Sequence, residues 1–61
     1  MNEYDVKRLA LVLAVQAEID GMKALNKERE LNGASIAYTE QDFGYMANNL
    51  RELASKPNEL L

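Results

Sequence analysis

The chain has 61 residues, 48% apolar and 28% charged, with no His, no Cys, no Trp and a single Pro. This is too apolar for a disordered tail and too short for more than one domain, read as a single unit over residues 1–61. Ten acidic against seven basic residues give a net charge of -3 with no cluster, which argues against a large nucleic-acid footprint.

In chain order, Asn2 is the predicted N-cap of a first helix, with Glu3 and Asp5 in the first turn where the macrodipole favours negative charge. Nothing interrupts that helix before Asn32-Gly33, where the glycine suits the left-handed residue after a last turn. The first helix is expected over about 3–31, roughly 43 Å long. Thr39 opens a second helix, with Glu40 and Asp42 in its first turn and Tyr38 and Phe43 placed as a hydrophobic staple. Pro57 ends it, giving a helix over about 40–55 and a short tail over 57–61. The fold class is therefore all-α, a helical hairpin.

The second helix places Phe43, Met46, Ala47, Leu50, Leu53 and Ala54 on one face, with Tyr45, Asn48, Asn49 and Glu52 opposite. The first helix carries two apolar stripes. One holds Tyr4, Leu11, Val12, Val15, Ile19, Met22 and Leu25; the other holds Val6, Leu9, Leu13, Ala17, Ala24 and Leu31. A helix apolar on two sides is buried on two sides, and one partner helix covers only one of them. Counted back from the Gly33 turn, about 24 Å of second helix covers the second half of the first. The stretch from Leu9 to Val15 is then bare, and Leu9, Val12, Leu13 and Val15 are the predicted interface of a homo-oligomeric helical bundle. Small domains that lack disulfides and metals use partner chains for the stability their cores do not supply.

The residue inventory excludes most catalysis. There is no His for acid–base work, no Cys nucleophile and no base near Ser35, so no enzyme activity, metal or cofactor is expected. Glu18, Asp20, Glu28, Glu30, Glu40 and Asp42 read as solvated helix faces and helix caps. One constellation fits a ligand. Lys23, Asn26 and Arg29 follow the first stripe toward the hairpin end, where Tyr38 and the start of the second helix add an aromatic ring and free amides. Cations, an amide and an aromatic ring suit an anionic planar ligand. The competing reading pairs Arg29 with Glu40 or Asp42 and spends Asn26 on the loop. Arg8 reads as a rim charge or as a contact to a neighbouring chain.

The hairpin layout resembles the plasmid copy-number RNA-binding four-helix bundle, although that family's helices are nearly equal in length. The stretch Gly21-Met22-Lys23-Ala24-Leu25-Asn26-Lys27-Glu28-Arg29, followed by Gly33 and Ala37-Tyr38-Thr39-Glu40-Gln41-Asp42-Phe43, resembles small phage and prophage helical-hairpin proteins. Among these are oligomeric sponges of the anti-CBASS and anti-Thoeris type, which sequester cyclic-nucleotide signals without cleaving them. That resemblance implies a phage-encoded, non-catalytic antagonist of host defence acting in the cytoplasm of a bacterial host. The alternatives are a protein–protein interaction module that inhibits a host complex and, behind it, an RNA-binding bundle. No membrane partner is expected, because the uncharged run at residues 9–17 is far below the about 20 residues of a membrane span.

Overall fold

The computed structural model describes all 61 residues and shows an all-α helical hairpin: α1 (Glu3–Leu31), α2 (Glu40–Ser55) and a closing 3-10 turn (Asn58–Leu60). Both helices have the bounds expected from their caps. At the start of α1 the Asp5 amide donates to Asn2 Oδ1 at 2.9 Å, and the Asn2 amide donates back to the Asp5 carboxylate at 3.5 Å. This reciprocal box occupies amides that the first helical turn leaves free.

The end of α1 is closed by its own backbone. Gly33 takes φ +72°, the Gly33 amide donates to Glu30 O at 3.1 Å and the Ala34 amide to Arg29 O at 2.8 Å. This is the Schellman arrangement, which requires a left-handed residue after the last turn and so favours glycine there. At the start of α2, the Asp42 carboxylate accepts from both the Thr39 amide and its hydroxyl, at 2.9 and 3.2 Å.

α2 packs antiparallel on the first apolar stripe of α1. Leu11, Val12, Val15, Ile19 and Leu25 are half-buried, and Met22 meets the α2 layer as one of two buried residues, the other being Met46. Phe43, Ala47, Leu50 and Leu53 supply the facing half-buried surface, whereas Ala54 is exposed. The second stripe of α1, from Val6 to Leu31, is exposed along its whole length.

The extent of cover corrects one expectation. α2 does not stop beside the second half of α1, because the loop over residues 32–39 folds back along α1 before α2 begins. α2 therefore starts opposite Asn26 rather than opposite Leu31, and its last turn lies against Arg8. Val12 and Val15 consequently sit half-buried under α2, while Leu9 and Leu13 remain exposed on the other side.

Arg8 is neither a rim charge nor free for a neighbouring chain. Its guanidinium donates to Leu53 O, to Lys56 O at 2.7 Å and to Asn58 Oδ1 at 2.8 Å. A helix leaves its last carbonyls without intrahelical donors, and α2 has no basic residue in its own last turn. A cation from α1 takes that place, and its charge complements the negative end of the α2 dipole. Lys7 Nζ donates to Leu61 O and fixes the tail to the same end of the hairpin. Replacing Arg8 with Met keeps the aliphatic stem but removes the donors. The expected loss is about 1–2 kcal/mol of stability. Amide exchange should quicken first at residues 51–56, and unchanged exchange there would show that the clamp carries no weight.

Candidate functional site

The predicted ligand cluster is dispersed by the hairpin. Asn26 is half-buried and both ends of its amide are engaged by the loop. Oδ1 accepts from the Ala37 and Tyr38 amides, each at 2.9 Å, and Nδ2 donates to Tyr38 O at 2.8 Å. Its side chain thus completes two backbone donors and one acceptor that a loop crossing an apolar stripe leaves short of partners. Lys23 and Arg29 are both exposed, and their spacing of six residues puts them about 120° apart around the α1 axis. Arg29 uses its backbone carbonyl in the helix cap and forms no ion pair with Glu40 or Asp42. Of the four residues, the structure joins only Asn26 and Tyr38, and joins them through hydrogen bonds between the Asn26 side-chain amide and the Tyr38 backbone.

The concave surface lies to one side of that cluster. A groove of about 490 Å³ runs between the helices over Met22 and Met46, bordered by Tyr38, Tyr45, Glu18 and Asp42. It continues toward the tail as a second hollow of about 380 Å³, with Leu11, Val15 and Leu53 on its floor and Glu18, Glu52 and Lys56 along its edges. Glu18 belongs to both hollows, so the two form one trough along the hairpin. Three carboxylates face one ammonium group there, a field that repels anions and attracts cations. Lys23 and Arg29 do not line either part. No three potential metal ligands converge at any point.

The sequence singled out Tyr45 only as an exposed aromatic ring on the polar face of α2. Its place at the rim of the groove follows from the α2 register. That register is set by Asn26, so periodicity within α2 does not reveal it. No helix is long and apolar enough to cross a membrane. Searches against protein-family models, curated proteins and solved structures give no match to this chain.

Asn26→Ala removes three hydrogen bonds from a half-buried loop. It is expected to cost about 1–3 kcal/mol, read as a lower urea midpoint with far-UV helicity retained below the transition. An unchanged midpoint would mean that water replaces the side chain at no cost.

Proposed function

We propose that the protein is a non-catalytic interaction module that works as a homo-oligomer, presenting its acidic, aromatic-rimmed groove to a protein partner in the cytoplasm. The observation that carries this reading is the amount of surface left uncovered. The chain exposes 4691 Å². A compact monomer of 6.9 kDa exposes about 4,000 Å². The excess of about 700 Å² approaches the about 800 Å² that each partner contributes to a standard protein–protein interface.

Shape and burial point the same way. The hairpin measures 47 × 18 × 12 Å with a radius of gyration of 14.6 Å. A compact chain of this length has one of about 10–11 Å. Only Met22 and Met46 are buried, whereas Val6, Leu13 and Leu31 are 55%, 58% and 76% exposed. Apolar side chains aligned on one exposed helix face mark a contact surface.

The groove supports a protein partner over a nucleotide. A phosphate placed between Met22 and Met46 meets Glu18 and Asp42, and the nearest candidate cations lie outside the groove. A basic or apolar polypeptide segment finds carboxylates, Tyr38 and Tyr45 instead, with aromatic rings that suit both cationic and apolar side chains.

Two measurements test this. Light scattering at tens of micromolar is expected to give a multiple of 6.9 kDa, and Leu13→Asp is expected to lower that mass by placing an unpaired charge in the contact. A monomeric parent protein would end the proposal. Calorimetry with cyclic dinucleotides is expected to show no heat; saturable binding would return the nucleotide reading to first place.

A further inference from the structure

Resting on the reading of the groove as a protein-binding surface, we infer that its occupant is a basic, amphipathic α-helix of about 14 residues from a different protein. It lies lengthwise in the trough as a third helix beside α1 and α2.

The spacing of the walls gives the occupant its shape. α1 lines the trough with Leu11, Ala14, Val15, Glu18, Gly21 and Met22, and α2 lines it with Asp42, Tyr45, Met46, Asn49, Glu52 and Leu53. Both rows advance by the same alternation of three-residue and one-residue steps, so one helical ridge faces another along the trough. A third helix fits between two such ridges with side chains at i, i+3, i+4 and i+7. From Asp42 to Lys56 the trough spans about 21 Å, or about four turns of helix. The hairpin has no strand edge with which an extended segment could pair. A helix arrives with its backbone hydrogen bonds already made and crosses the apolar floor without needing that edge.

Gly21 fits the same occupant. It stands in the interior of α1, where glycine is less favourable than alanine. A Cβ built there meets nothing within 4 Å, so no contact inside the chain calls for glycine. With Ala14 two turns away, it keeps the α1 wall low and lets an incoming helix settle close to that backbone.

Charge identifies the class of partner. Asp42 and Glu52 stand about 15 Å apart on the α2 wall, and Glu18, which borders both hollows, stands on the α1 wall between them. No Lys or Arg lines the first hollow, and Lys56 is the one cation at the second. A helix with Lys or Arg at both edges of its apolar face meets a carboxylate on either side, and Tyr38 and Tyr45 offer ring faces to the same cations. A second copy of this chain has no such helix to give. Its net charge is -3, its Lys7 and Arg8 are held by Leu61 O and the end of α2, and Lys23 and Lys27 stand among Asp20, Glu28 and Glu30.

The probe is a fluorescein-labelled peptide of about 14 residues, made of Leu and Lys with the leucines at helical spacing. Two peptides serve as comparisons: a Leu/Glu version of the same pattern, and a Leu/Lys version in strict alternation, which favours a strand. Fluorescence anisotropy with the whole chain is expected to show saturable binding of the helical Leu/Lys peptide, about tenfold tighter than either comparison. Gly21→Leu, which fills the groove, and Glu18→Lys, which reverses its central charge, should each weaken that binding about tenfold while circular dichroism matches the parent protein. In amide NMR spectra the Gly21 signal should move on binding, while that of Gly33 in the hairpin turn stays in place. Equal affinity for the alternating peptide would overturn the helix and leave a basic partner in the groove. Equal affinity for the Leu/Glu peptide, or binding indifferent to both substitutions, would overturn the inference. A fall in light-scattering mass on Gly21→Leu would put a second copy in the trough and overturn it equally. Failure of both Leu/Lys peptides to bind would remove the basic partner itself. A monomeric parent protein that binds the helical peptide would end the homo-oligomer reading and leave this inference standing.

Discussion

The side-chain amide of Asn26 sets the register of the hairpin. It is the one polar group on the α2-facing stripe of α1 that reaches the connecting loop, and it holds Ala37 and Tyr38 by three hydrogen bonds. Once Tyr38 is fixed beside Asn26, Thr39 caps α2 at a defined level of α1, and every later residue of α2 follows at about 1.5 Å per step. Sixteen residues at that rise bring the last turn of α2 to Arg8. The guanidinium clamp at one end of the hairpin is therefore possible only because the amide clamp at the other places Leu53 and Lys56 within its reach.

Between the two clamps the apolar contact is thin. Met22 and Met46 are the only buried residues, and flexible thioethers fill the space that interlocking branched side chains occupy in larger cores. Polar closure at both ends compensates for part of this. Hydrogen bonds to backbone atoms orient the helices without enlarging the core, and they fix register more strictly than nondirectional apolar contact does. The same economy explains the exposed back of α1. One 16-residue helix satisfies one stripe and has no second face to offer the other.

Much of this was legible in the sequence because it is local. Asn2, Gly33, Thr39 and Pro57 act within a few residues of themselves, and both helix bounds follow from them. The two stripes of α1 are equally local, since helical periodicity alone separates Val15 from Leu13. The level at which α2 meets α1 is different. It depends on whether the loop runs outward or folds back, and Asn26 decides that across eleven and twelve residues of separation. Taking the loop as outward left Val12 and Val15 grouped with Leu9 and Leu13, when the helix in fact divides them between two faces. A sequence signal for Arg8 did exist. The last turn of α2 contains no cation, and an arginine lay near the start of the opposing helix. Without the register there was no reason to connect them.

The register also decides which chemistry the protein offers. Had α2 begun beside Leu31, the Asn26 amide would have had no loop to hold and would have stayed open to a ligand. The observed placement spends the amide on the loop, leaves Lys23 and Arg29 on separate sides of α1, and lines the trough with Glu18, Asp42 and Glu52. Chain length then limits the alternatives, because a hairpin with two buried residues has little interior in which to desolvate a small ligand. In the proposed interaction module, recognition proceeds across extended surface. The two surfaces available are opposite in character: an apolar stripe behind α1, and an acidic, aromatic trough in front. In the proposed reading a second copy of the chain covers the first kind of surface, and the second is presented to the protein partner.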